Sequence, residues 1–259
     1  MVGCFSSTPI DAKYALLSAP NALVKQSKQD RSGKNHRDGW GVACFNGATS
    51  PAIEKSVKPA YADELFGRVA SRTIAPLWLA HARAASSGSV MIDNTHPFQH
   101  ENWAWVHNGT IIRPLELLSE TMMANIAPEF HHLRRGTTDS ELCFLLFLSD
   151  LSGRAGDEIN NPSAETASEA MAVVVHLLRA IAAPHRQNVP TMNFMASNGK
   201  MLLAVRWGKS LWMLQSNHAQ KNIFVASEPF DDGDWKEVPE RSLVIIDGAG
   251  ALRISALQS

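Results

Sequence analysis

Short apolar stretches recur along the chain between breaks of Gly, Asn, Pro and Ser. VGCF, WGVACF, PLWLAHARAA, WAWVHNG, NFMASNG, KMLLAVRWG, SLWMLQS, NIFVASEP and SLVIIDGAGALRIS are each rich in apolar and β-branched residues and bounded in this way, the pattern of strands. Tight turn signals join several of them, which predicts mostly antiparallel pairing. Apolar residues at helical spacing predict helices over Ala60–Ser71, Ser140–Leu151 and Ala164–Ala182. The second opens TTDSELCFLLFL, where Thr or Asp can cap and Glu141 sits in the first turn, favourably to the helix dipole. Between the second and third, SGRAGDEINNPSAETAS is polar and punctuated, and reads as a surface loop. Strands continue after it and no Pro/Gly/Ser-rich linker divides the chain. The pattern therefore predicts one domain over residues 1–259, of sheets and helices sandwiched together.

Composition adds bounds. At 259 residues and 45% hydrophobic content the chain can bury a sizeable core. With 24 basic and 25 acidic residues its formal charge is -1, which gives no electrostatic reason to expect nucleic acid or an anionic membrane as partner. A small, near-neutral substrate is expected instead. The start lacks a basic segment followed by a long apolar run, and no stretch approaches the ~18 apolar residues of a membrane span, so a cytoplasmic location is expected. Cysteines at 4, 44 and 143 are odd in number and lack CxxC spacing, which suggests neither a disulfide framework nor a zinc knuckle. The ten His include His81, His96, His107 and the pair His131 and His132, without HExxH or HxH spacing. No metal and no other cofactor is expected. Thr-His-Pro and Val-His-Asn contexts point to packing or hydrogen bonding.

Four stretches concentrate polar chemistry: HRDGWGVACF, LAHARAASSG with DNTHPF, WAWVHNGTI, and GTTDSE. Singly, each has a plain structural reading. Asp38-Gly39 is a turn signal, and Trp40 suits the core. Asn108-Gly109 between WAWVH and TII is what a two-residue hairpin wants. His81 and Arg83 share one face by the period of two, and an Arg there commonly serves as a surface ion-pair partner. Asp139 suits a helix cap.

Together, DGWG, HARAAS, NTHPF, HNG and TDSE, in this order and at these intervals, resemble the class II glutamine amidotransferases, a branch of the N-terminal nucleophile hydrolases. The similarity is strongest to the stand-alone subgroup of Dug3-like and YafJ-like proteins, and runs from about Ser6 to the C-terminal strand. The resemblance implies an α+β fold, a four-layer αββα sandwich of two mostly antiparallel sheets. It also implies roles. Arg83 would clamp the substrate carboxylate with its two-pronged donor. Asp139 would hold the ammonium, and the Asn108 amide with the Gly109 N–H would meet the oxyanion. His81, Thr95 and His96 would line or support the pocket. The substrate would be glutamine or a γ-glutamyl amide or peptide, with a separate ammonia-accepting or hydrolase subunit as a possible partner.

The nucleophile departs from the family pattern. There a Cys directly follows the initiator Met, and its own α-amine acts as general base. Here residue 2 is Val, and Val2-Gly3 fits the last two letters of the family's CGIVG-type start, which sets Cys4 one step beyond the Gly, inside the strand. Three explanations stay open: the natural start lies a few residues upstream and carries the Cys; residues 1–3 are removed so that Cys4 becomes the nucleophile; or the protein is a non-catalytic relative that binds a glutamyl group as a partner subunit. On register, Cys4 reads better as a strand residue than as the nucleophile. Cys44 and Cys143 read as buried small hydrophobes.

Overall fold

The computed structural model describes residues 1–86, 88–111, 116–184, 190–216 and 221–257. Of the quoted motifs, Ser87 of HARAASSG and Ile112 of TII lie outside these.

Thirteen strands alternate with five α-helices among the described residues: β1 Val2–Asp11, α1 Leu23–Lys28, β2 Trp40–Phe45, β3 Ala52–Ser56, α2 Glu64–Arg72, β4 Ile74–Ala82, β5 Phe98–His100, β6 Trp103–Thr110, α3 Glu116–Ala124, α4 Asp139–Ala155, α5 Ala164–Ala182, β7 Thr191–Ser197, β8 Leu202–Arg206, β9 Trp212–Gln215, β10 Asn222–Ala226, β11 Lys236–Glu237, β12 Ser242–Ile246 and β13 Leu252–Ala256. They form a seven-stranded sheet in the order β11-β9-β10-β1-β4-β2-β3 and a six-stranded sheet in the order β13-β12-β8-β7-β6-β5. All the pairings are antiparallel.

Alternation along the strands sorts the apolar residues into three cores. Between the sheets pack Phe5, Leu77, Leu79, Val106, Met195, Leu202 and Val244. Outside the seven-stranded sheet, Cys4, Trp40, Trp78 and Ala80 pack with Leu23 of α1 and Phe66 of α2. Outside the six-stranded sheet, Trp105, Phe194 and Leu203 pack with Phe144 and Phe147 of α4 and Val174 of α5. Two helical layers thus enclose two sheets, the expected αββα sandwich.

Local signals explain most boundaries. Ser163 accepts from Thr166 N and caps α5, whose limits are those predicted. Helix α2 starts later than Ala60 because the Asp63 carboxylate accepts from Leu65 N and caps it there. Helix α4 runs four residues past Leu151, into the stretch read as loop, and ends where Gly156 takes φ +53°. SLVIIDGAGALRIS folds back on itself as β12 and β13, because Asp247 Oδ1 accepts from Ala249 N and Ala251 N and Gly250 takes φ +72°.

Candidate active site

At the end of the sandwich where β1 begins and β4 and β6 finish lies a cavity of about 300 Å³. Its walls come from both sheets and from the start of α4: Met1, His81, Arg83, His96, Asn108, Gly109 and Asp139 all line it. Four of the sequence motifs converge there.

The first two motifs are laced together by backbone. Asp38 N donates to Arg83 O at 3.0 Å, Arg83 N donates to Gly39 O at 2.7 Å, and the Asp38 carboxylate accepts from Ala85 N at 2.7 Å. Gly39 takes φ +119°, and a Cβ there would meet Ser56 O at 2.8 Å, so this turn needs glycine. Trp40 is core, with Nε1 donating to Asp63 Oδ2 at 3.0 Å. Arg83, placed by this lacing, is 4% exposed, which overturns its reading as a surface ion-pair residue. Its Nη1 donates to Ser89 O at 3.3 Å and its Nη2 to Gly88 O at 3.5 Å, and both Asp38 and Asp139 act on its charge.

His81 and His96 are buried with ring centres 4.4 Å apart. Burial pushes both imidazoles well below their usual pKa, with repulsion from His96 added at His81 and from His107, Lys55 and Arg83 at His96, so both are neutral. Among the described residues, His81 Nδ1 and both ring nitrogens of His96 have no hydrogen-bond partner. Thr95 is buried but stands behind the cavity wall: its hydroxyl donates to Met91 O at 2.9 Å and its side chain backs Gly39.

HNG is not a hairpin turn. Asn108 and Gly109 are the penultimate residues of β6, opposite Asn193 and Met192 of β7, and neither takes positive φ. Long-range pairing overrides the local preference of Asn-Gly for a turn. Glycine is required for a different reason, since a Cβ on Gly109 would sit 2.0 Å from Thr191 O. Asn108 Oδ1 accepts from Lys209 Nζ at 3.1 Å. The preceding His107 is a structural tie: Nε2 donates to Thr191 O at 2.9 Å, and Nδ1 meets Ser140 Oγ at 2.8 Å. This agrees with the hydrogen-bonding role expected of its context.

Thr138, not Asp139, caps α4, accepting from Glu141 N at 3.2 Å. Asp139 is the first helical residue and is 2% exposed. Its Oδ1 accepts from Ser140 N at 2.8 Å and its Oδ2 from Ile111 N at 2.8 Å, which fastens the end of β6 to the helix. Glu141 binds Arg135 N and Gly136 N and so staples the preceding loop.

With residues 1–3 in place, Cys4 is away from the cavity. It is fully buried among Trp78, Ala226 and the α1–α2 layer, and burial raises its thiol pKa far above the usual range, so it stays protonated. Cys143 is buried under the six-stranded sheet and Cys44 is partly buried; neither lines the cavity.

Met1 does line it. The strand pairing of β1 with β10 extends to Met1, whose carbonyl accepts from Ser227 N at 2.9 Å while its α-amine donates to Ser227 Oγ at 3.1 Å. Burial lowers the pKa of that amine to about 5, Glu228 opposing and Lys209 assisting, so near neutral pH it is an uncharged base. Sequence reasoning assigned no role to Ser227, Glu228, Lys209 or Asp30, which also line the cavity. NIFVASEP, read only as a strand, contains the first two.

Comparison with known proteins is consistent with this geometry. A sequence profile described as Glutamine amidotransferases class-II matches residues 22–226. The chain is 26% identical over 284 residues to the Probable glutamine amidotransferase DUG3 of Saccharomyces cerevisiae, covering 92% of this chain and 78% of that one. It is 28% identical over 240 residues to the Gamma-glutamyl-hercynylcysteine sulfoxide hydrolase of Mycobacterium tuberculosis, covering 91% and 87%. A solved glutamine aminotransferase class-II domain protein from Silicibacter pomeroyi superposes with a TM-score of 0.70 at 26% identity, covering 98% of this chain and 99% of that one.

Proposed function

Because this chain belongs to the class II glutamine amidotransferases, we propose that its cavity binds the glutamyl end of glutamine or of a γ-glutamyl amide and cleaves the γ-amide bond. The observation that carries this reading is the convergence of Arg83, Asp139, Asn108 and Gly109, from three motifs and both sheets, on one small cavity. Arg83 meets the α-carboxylate and Asp139 the α-ammonium. The Asn108 side-chain N–H and the Gly109 backbone N–H face the γ-carbonyl oxygen. Donors placed where charge develops contribute about 3 to 4 kcal/mol each to such a transition state.

The attacking thiol comes from a Cys N-terminal to Met1. The β1 strand carries the chain into the cavity at Met1, so a residue preceding it in the same line enters the space faced by Asn108. The cysteine's own α-amine takes the thiol proton as the sulfur bonds to the γ-carbon and the carbonyl electrons move to oxygen; the carbonyl then re-forms, the C–N bond breaks, and the departing amine takes that proton from the α-amine. Water then releases glutamate from the thioester. Ammonia from glutamine, or an amine from a γ-glutamyl compound, leaves to solvent or to a separate subunit in the cytoplasm.

One observation favours a second reading for the chain that starts at Met1: among the described residues, none lining the cavity is a Cys. That form binds glutamyl ligands without cleaving them. Ammonia release from glutamine and γ-glutamyl peptides by the 259-residue chain and by one extended with an N-terminal Cys tests both. Activity in the extended form alone supports the upstream nucleophile; equal activity in the two removes it and returns Cys4 to consideration; inactivity of both with retained binding leaves the binding role.

A further inference from the structure

Asn108 is useful as an oxyanion donor only if its carboxamide presents nitrogen, not oxygen, to the substrate. On its own an Asn side chain has no such preference, since the amide flips about its terminal torsion. Lys209 resolves the choice. Its ammonium carries donors and no acceptor, so the Asn108 atom 3.1 Å from Nζ must be Oδ1. With Oδ1 committed to Lys209, Nδ2 is directed to the other side.

The lysine is itself held by the strand partner of the residue it orients. Asn193 of β7 sits directly opposite Asn108 in the ladder and is fully buried. Its carboxamide grips the turn after β8: Nδ2 donates to Lys209 O and Ser210 O, both at 3.1 Å, and Oδ1 accepts from Trp207 N at 3.0 Å and Lys209 N at 3.3 Å. Arg206 Nε also donates to Lys209 O at 3.2 Å, and Gly208 N donates to Glu240 Oε1 at 2.7 Å. The turn therefore has little freedom. From it the Lys209 side chain reaches back across the ladder to Asn108, closing a loop of contacts Asn108–Asn193–Lys209–Asn108.

We propose that Lys209, carried by the turn that Asn193 grips, is a positioning residue that fixes the Asn108 carboxamide with its N–H toward the scissile carbonyl. The ammonium also draws electron density toward Oδ1 and so strengthens the N–H as a donor. This inference rests on the oxyanion role of Asn108 proposed above.

Two measurements test it. On the 259-residue chain, the Asn108 carboxamide signals are identified by NMR as the pair lost in Asn108→Ala. Lys209→Met keeps the aliphatic stem and removes the charge; it is expected to shift and broaden that pair as the amide begins to flip, and unchanged signals overturn the inference. In the form extended with an N-terminal Cys, Lys209→Met is expected to lower kcat roughly tenfold, the order of one charge-assisted hydrogen bond, with KM within about twofold. Lys209→Arg should restore most of it, and Lys209→Met should cost nothing further in an Asn108→Ala background. Full kcat in Lys209→Met, or a loss that persists undiminished in the Asn108→Ala background, overturns the inference while leaving the proposed function standing. Full kcat in Asn108→Ala removes the oxyanion assignment and this inference together.

Discussion

The α-amine of Met1 lies 3.1 Å from Ser227 Oγ and faces a cavity, so a group usually left in water is buried at the centre of the candidate site. Its ordinary pKa of 8.0 falls to about 5, chiefly through burial. The unfolded chain holds this proton up to about pH 8 and the folded chain only below about pH 5. Between these values the unfolded state binds more protons, so stability rises with pH across that window, and the full penalty is present below it. For the chain beginning at Met1, the melting temperature should therefore climb from pH 5 to pH 8, more steeply than for a chain extended by a few residues. Parallel slopes would place the amine in solvent.

Arg83→Lys should weaken glutamine or γ-glutamyl ligands about tenfold or more, because the bidentate geometry is lost while the charge remains. Calorimetry on the two proteins measures it. Since Arg83 also binds the Ser89 and Gly88 carbonyls, some loss of melting temperature is expected alongside. Unchanged affinity removes Arg83 from the site.

Asp139→Asn touches both ligand and fold. The carboxylate accepts from Ser140 N and Ile111 N with different oxygens, and an amide would set an N–H against one of them. The cost expected is about 1 to 3 kcal/mol of stability. Affinity should fall for ligands with a free α-ammonium and hold for their N-acylated forms, a contrast that stability loss alone does not produce.

Asn108→Asp should leave the fold intact, because the new carboxylate pairs with Lys209 where the amide oxygen did. Turnover in the Cys-extended form should drop by roughly a hundredfold or more, since one negative charge then faces another. Normal kcat with normal melting would reduce Asn108 to a strand residue.

Gly109→Ala separates close approach from turn chemistry. A methyl 2.0 Å from Thr191 O must push β6 from β7, so melting should fall sharply. A silent substitution would mean the strand ends can part without cost.

Most strands and α5 could be read from the sequence because their signals are local: alternation, a Ser cap, Asp and Gly at turns; the edge strands β3, β5 and β11, short or polar, were not read. The motifs pointed to Arg83, Asp139, Asn108 and Gly109 as one site, and the structure brings these four to one cavity. What local reasoning missed is long-range. Asn-Gly favours a turn on its own, and only the β7 ladder holds it extended. Lys209 meets Asn108 across 101 residues, and Ser227 meets Met1 across 226, separations that no periodicity reports. Thr95, adjacent in sequence to His96, falls behind the wall because neighbours on an extended segment face opposite ways.

Gly3 faces Leu79 and Met195, and a Cβ there would lie 2.9 and 3.2 Å from them. Side chains from the neighbouring strand and from the facing sheet therefore fill the space over Gly3, two residues from the cavity's Met1 end. Arg83 follows the last strand residue of one sheet and Asn108 belongs to the other. On the roles proposed for Arg83 and Asn108, the filling between the sheets is a ruler: its thickness would set how far a ligand's carboxylate must lie from its scissile carbonyl to touch both sides. A larger residue at Gly3 would lengthen that measure from below, and asparagine, one methylene shorter than glutamine, would leave one end unmet.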